Sequence, residues 1–226
     1  MTEPAVVASV LGADYARLGD EVADLNAAGV DRIQWDIMDG RFVPNVTFGP
    51  DVVSACRHYG DVPFEAHLMV ADPDPMLADF ASAGCGTIIV HVETCPHLHR
   101  TLSMIRDLGA QAGVAVNPST SLDFARHVLD QLDQILVMTV NPGFGGQKYI
   151  SAMEDKVSEA RELADRSGHP VKIEVDGGIS ADTAGAARDA GAELLVAGSA
   201  LLAHPDGKRA AVAELRRAMA RPVPAS

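Results

Sequence analysis

RIQWDIMDG, residues 32–40, alternates like a β-strand but carries a carboxylate where a buried strand should be apolar. With Ile33, Trp35 and Ile37 on one face, Gln34, Asp36 and Met38 lie on the other, and both faces read as buried. A carboxylate in such a place without a partner is costly. Asp36 therefore needs a cation, a hydrogen-bond network or a chemical role, and Gln34 is either its helper or a bystander.

Runs of the same kind recur along the chain. They are AVVASVL (5–11), PFEAHLM (63–69), TIIVHV (87–92), QAGVAV (111–116), QILVMT (134–139), VKIEV (171–175) and ELLVA (193–197), eight in all with RIQWDIM (32–38). Helical patterns lie between them, as at Tyr15 to Ala28, Met76 to Ala83, His97 to Leu108, Ser151 to Ser167 and Ala181 to Ala190. Gly29, Gly84, Gly109 and Gly191 follow where a helix would end on a left-handed residue. Eight strand–helix units of about 28 residues each predict an α/β protein, a single (β/α)8 TIM barrel, in preference to a doubly wound sheet. One catalytic domain over residues 1–220 is expected, with a frayed Pro/Ala tail at 221–226.

Bulk properties narrow the function. The chain has 226 residues, 47% of them hydrophobic, and a formal net charge of −13 with no Lys/Arg run. That argues against nucleic acid and anionic membrane as partners, while leaving room for a local anion pocket. No apolar run is long enough to span a bilayer and no basic leader precedes one, so a cytoplasmic protein is expected. Cys56, Cys85 and Cys95 are odd in number and lack zinc-like spacing, which fits free thiols.

In a barrel of this kind chemistry belongs where strands end. Ser9, Asp36, Met38, His67, Met69 and Met138 stand near strand ends, with Asp176 just after strand 7 and Ser199 just after strand 8. Glycines cluster on the same face: Gly143, Gly145 and Gly146 around Phe144 after strand 6, Gly177 and Gly178 after strand 7, and Gly198 after strand 8. Consecutive glycines let backbone N–H groups approach a phosphate, so a phosphorylated small molecule is the expected ligand. Strands 7 and 2 lie three steps apart round the ring, which places Asp176 and Asp36 facing each other across the mouth. Two acids on opposite sides of one carbon suit inversion, one removing a proton and the other returning one. HVETCPHLH (91–99) makes a poor metal site, because His97 and His99 are two apart on a helix and do not share a face.

Long stretches spread over essentially the whole chain read SVLGADYARLGDEV, WDIMDGRFVPNVTFGP, HLMV, HVETCPHLHRTL, GVAVNPST, VMTVNPGFGGQKYI, IEVDGGIS and VAGSAL. On these motifs the chain resembles the ribulose-phosphate 3-epimerase family. It implies interconversion of ribulose 5-phosphate and xylulose 5-phosphate through a 2,3-enediolate, with Asp36 and Asp176 as the acid/base pair. It also implies one divalent metal ion (Zn, Mn, Fe, Co or Mg) on Asp36, His67 and Asp176. Ser9 and His67 match substrate contacts, and Gly143 to Gly146, Asp176 to Gly178, Gly198 and Ser199 match the sugar-phosphate site. The expected partners are a small-molecule ketose phosphate and further copies of the chain in a homo-oligomer. Two departures stand out: Gln34 occupies the place of the remaining metal-ligand histidine, and Ala8 and Gly12 replace a proline and a serine. A six- or seven-carbon ketose phosphate as substrate, or a non-catalytic sugar-phosphate binder, are the alternatives those departures raise. A decarboxylase is disfavoured, since its Asp-x-Lys-x-x-Asp pattern has no lysine counterpart in the stretch from Trp35 to Asp39.

Overall fold

The computed structural model describes residues 4–220, so the tail expected to fray at 221–226 lies outside the described residues. Eight parallel strands run in chain order: β1 (Ala5–Ser9), β2 (Arg32–Met38), β3 (Phe64–Met69), β4 (Cys85–His91), β5 (Gln111–Val116), β6 (Gln134–Met138), β7 (Lys172–Asp176) and β8 (Leu194–Ala197). Pairing of β1 with both β2 and β8 closes the barrel. The strand ends differ slightly from the sequence reading. Asp176 is the last residue of β7 and pairs with Met138 and Val196, so the barrel wall itself fixes its backbone.

The alternation in RIQWDIM divides as its sequence suggests. Ile33, Trp35 and Ile37 face outward into the core shared with the helices, where Trp35 meets Phe48 and Phe64 edge-on at 5.3 Å. Burying each such side chain contributes about 1.5–3 kcal/mol. Arg32, Gln34 and Asp36 point the other way, into the barrel.

Around the strands lie α1 (Leu18–Ala28), α2 (Pro50–Cys56), α3 (Leu77–Ser82), α4 (Leu98–Asp107), α5 (Met153–Ser167), α6 (Ala184–Asp189), α7 (Ser199–Leu202) and α8 (Lys208–Ala220). Gly29, Gly84, Gly109 and Gly191 have φ of 86°, 94°, 81° and 114°, the left-handed region expected of them. The fifth unit departs from the pattern. Between β5 and β6 the chain makes two 3₁₀ turns, Asp123–His127 and Leu129–Gln131, in place of an α-helix. Leu122, Ala125 and Val128 are all buried and spaced by three, and Ala125 and Val128 donate to the carbonyls of Leu122 and Ala125. That repeat fits a helix of three residues per turn better than one of 3.6. The three cysteines are free and buried. Among the described residues no helix is long and apolar enough to cross a membrane.

Candidate active site

A cavity of about 1060 Å³ opens at the C-terminal ends of the strands. Ser9, Asp36, Met38, Met69, Met138 and Asp176 form its floor, and the loops after β6, β7 and β8 form its wall. Gln34 and His67 lie just beneath, with no exposed surface. Gln34 Nε2 donates to Asp36 Oδ1 and to Asp176 Oδ2, both at 2.8 Å. His67 Nδ1 stands 3.1 Å from Asp36 Oδ1 and 3.5 Å from Asp176 Oδ2, and Ser9 Oγ donates to Asp36 Oδ2 at 2.6 Å. The two carboxylates thus converge near the barrel axis, closer together than counting strands round the ring suggests.

Side-chain hydrogen bonds brace the glycine loops. Gln147 Nε2 donates to the carbonyls of Asn141 and Phe144 at 2.6 and 2.9 Å, and Thr139 Oγ1 donates to that of Gly177 at 2.6 Å. Gly143, Phe144, Gly145, Gly146, Gly177, Gly178, Gly198 and Ser199 all border the cavity. At Gly178, with φ of 67°, an added Cβ would lie 2.5 Å from the backbone nitrogen of Tyr149, so the close approach of these two loops itself requires glycine. Gly198 differs, since its nearest neighbour to an added Cβ is Ser9 at 3.6 Å.

The Ribulose-phosphate 3 epimerase family model matches residues 5–202. The ribulose-phosphate 3-epimerase of Bacillus subtilis is 48% identical over 212 residues, 93% of this chain and 97% of that one. That of Escherichia coli K12 is 43% identical over 222 residues, 98% of each. The chain belongs to the ribulose-phosphate 3-epimerase family. Solved structures of lower identity share only the barrel: the KGPDC of Streptococcus mutans (TM-score 0.73, 16% identity, 97% of this chain and 99% of that one) and a 3-hexulose-6-phosphate synthase (TM-score 0.68, 21% identity, 95% and 99%).

For a member of this family the donor set can be tested against a divalent ion. One ligand atom each from Asp36, His67 and Asp176 lie within 4.8 Å of one another. Oxygen and nitrogen donors of this kind suit zinc, manganese, iron or cobalt, and magnesium less well. Gln34 Oε1 is buried with no hydrogen-bond partner. A half-turn of that amide would exchange Nε2 for Oε1 against the carboxylates, which is favourable only with a cation among them. The residues therefore fit such an ion.

Electrostatics follow the same geometry. Burial alone would lower the His67 pKa, but Asp176 and Asp36 lift it to about 9. Burial raises the pKa of Asp176, and Asp36 adds to the rise while His67 and Gln34 oppose it.

Two residues of the site escaped the sequence reading. His91, at the end of β4, places Nε2 2.9 Å from His67 Nε2, and its Nδ1 meets Glu93 Oε2 at 3.1 Å. Burial drives His91 down to about 4, whereas Glu93, despite burial that would raise it, is held at about 2 by His91, Thr120 and the Asn117 backbone N–H. The available signal was parity: His91 shares the inward face of β4 with Thr87 and Ile89, and Ile89 pairs with His67. His97 and His99 are exposed at the start of α4, away from this cluster.

Proposed function

We propose that this chain is a ketose-phosphate 3-epimerase that interconverts D-ribulose 5-phosphate and D-xylulose 5-phosphate. The observation that carries the reading is the convergence of Asp36 and Asp176 on one amide nitrogen, on the floor of a glycine-walled cavity. One carboxylate takes the C3 proton, and the electron pair left behind moves into the C2 carbonyl to give a 2,3-enediolate. The other, protonated, returns a proton to the opposite face of C3. The reverse reaction exchanges the roles, and no proton is consumed overall.

Gln34 and His67 hold the two carboxylates in register, and the Ser9 hydroxyl restrains Asp36 further. Met38, Met69 and Met138 exclude water, which keeps solvent from protonating the intermediate indiscriminately. Asp36, His67 and Asp176 would hold the divalent ion in place of these mutual hydrogen bonds, and a half-turn of the Gln34 amide would present Oε1 as a fourth donor. When bound, that ion supplies Lewis-acid stabilisation of charge on the C2 and C3 oxygens. Backbone N–H groups of Gly143 to Gly146, Gly177, Gly178, Gly198 and Ser199 would hold the phosphate, since Lys148 is the one basic side chain among the described lining residues. Assembly into a homo-oligomer and a cytoplasmic location accompany this reading.

Incubation of pentulose, hexulose and heptulose phosphates in deuterated water with divalent metal supplied, followed by NMR at C3, tests it. Deuterium entering the pentulose phosphate is the expected result. Label confined to a longer ketose would move the substrate assignment, and label in none would replace the enzyme with a sugar-phosphate binder.

A further inference from the structure

His91 and Glu93 take no part in the proton transfer described above, yet they form a chain that ends on His67. Two ring nitrogens 2.9 Å apart, His67 Nε2 and His91 Nε2, admit one hydrogen between them, because two lone pairs repel and two N–H groups collide. His91 decides which ring carries it. Its Nδ1 lies 3.1 Å from Glu93 Oε2, and a carboxylate only accepts, so Nδ1 bears a hydrogen. A neutral His91 then offers Nε2 as an acceptor, and the hydrogen between the rings belongs to His67 Nε2.

Glu93 is itself fixed. Its Oε1 accepts from the Asn117 backbone N–H at 2.8 Å and from the Thr120 hydroxyl at 2.5 Å. Lys156 of α5 holds that loop by donating to the carbonyls of Asn117, Pro118 and Thr120 at 3.0, 2.7 and 2.7 Å. Phe42 packs on the His91 ring, centroid to centroid 4.7 Å. The chain therefore runs from a surface helix through two loops to the imidazole beside Asp36 and Asp176.

We propose that His91 and Glu93 are positioning residues: together they hold His67 in its Nε2–H tautomer and leave Nδ1, the nitrogen beside the two carboxylates, free to bind the divalent ion. This rests on the reading of Asp36, His67 and Asp176 as the ion's ligands, and extends it outward from the barrel. Partners of this kind typically alter metal affinity by about 10–100-fold when removed.

The test uses His91→Phe, which keeps a ring against Phe42, and Glu93→Gln, which keeps the shape of the acid. Nitrogen NMR of the His67 ring in zinc-loaded protein reads the tautomer, competition with a chelating indicator reads zinc and manganese affinity, and thermal melting shows that each variant is folded. Wild-type His67 is expected as Nε2–H with Nδ1 on the metal. Either folded variant should lose the single tautomer and bind metal about 10–100-fold more weakly. A wild-type hydrogen on Nδ1, or unchanged affinity and tautomer in the folded variants, overturns the proposal. Should wild-type protein bind no divalent ion, the cofactor reading falls on its own. Metal-free protein then decides this one by which ring carries the hydrogen between the two Nε2 atoms, His67 supporting it and His91 overturning it.

Discussion

The barrel interior contains two polar layers built on opposite plans. In the lower layer Arg32 Nη1 donates to Glu65 Oε2 at 2.5 Å and to Gln134 Oε1 at 2.9 Å, and Gln134 Nε2 donates to Glu174. Burial and the neighbouring Glu65 push the Glu174 carboxyl up, with Arg32 opposing. In the upper layer Asp36 and Asp176 meet an imidazole and an amide but, among the described residues, no arginine or lysine. The layers use neighbouring inward positions: Arg32 below Gln34 on β2, Glu65 below His67 on β3, and Glu174 below Asp176 on β7. The lower layer carries its own cation, whereas the carboxylates of the upper layer face the His67 ring, which takes up a proton readily beside them. On the function proposed above, buried carboxylates of one scaffold are structural or chemical according to whether a permanent opposite charge is built in.

The contrast is sharpest in the response to neutralising a charge. Asp36→Asn and Asp176→Asn should each lower kcat by about 10²–10⁴-fold while the melting temperature holds or rises, because a like-charge neighbour is removed. Steady-state kinetics and calorimetry on the same samples check this, and a steep fall in stability would erase the distinction between the layers. Arg32→Met should do the reverse, costing about 3–5 kcal/mol in urea unfolding by stranding buried acids. Adding Glu65→Gln should recover part of that loss, and a single-variant cost below about 1 kcal/mol would mean the lower layer is not held by its arginine.

Smaller effects are expected at the edges of the upper layer. Gly198→Val, where a Cβ has room, should weaken phosphate-ester binding about tenfold, or 1.4 kcal/mol, and leave neutral-ketose binding nearly unchanged. Equal losses in calorimetric titrations would place the phosphate elsewhere. Gln34→His should raise zinc affinity relative to magnesium, measured by metal competition, and chelation should reduce wild-type turnover until divalent metal is restored. The smallest effect concerns acid stability. Glu93 falls from an ordinary 4.5 to about 2 on folding, so the unfolded chain binds more protons in between and Glu93 stabilises the fold above that window. The contribution disappears as pH drops from about 5 to 2, and Glu93→Gln should flatten that part of the melting-temperature profile.

Much of this architecture is legible in one dimension because it depends on short-range periodicity. Alternation in RIQWDIM separates Trp35 from Asp36, and helix-ending glycines mark the units without reference to any distant residue. The fifth connection is legible only afterwards, since Leu122, Ala125 and Val128 bury equally well on a short amphipathic α-helix until the hydrogen bonds are seen. The site divides in the same way. Asp36, His67 and Asp176 announce themselves as polar residues at strand ends, but their distances depend on the stagger between strands, which no local pattern encodes. That stagger brings Asp176 onto the same amide as Asp36 and lifts His91, two residues beyond the partner of His67, to the level of the His67 ring.

Closure of the barrel by β1 and β8 has a consequence during synthesis. The first strand is made early, but its partner on one side lies roughly 185 residues later in the chain. At about 5–20 residues per second the ribosome needs on the order of 10–40 s to deliver it. Throughout that interval the nascent protein carries one open β1 edge and an inward row of acids without their final neighbours. The last strand and α8, with Lys208 reaching Glu21 and Asp24 of α1 at 2.8 and 3.1 Å, therefore act as the seal that turns a vulnerable nascent sheet into a finished enzyme.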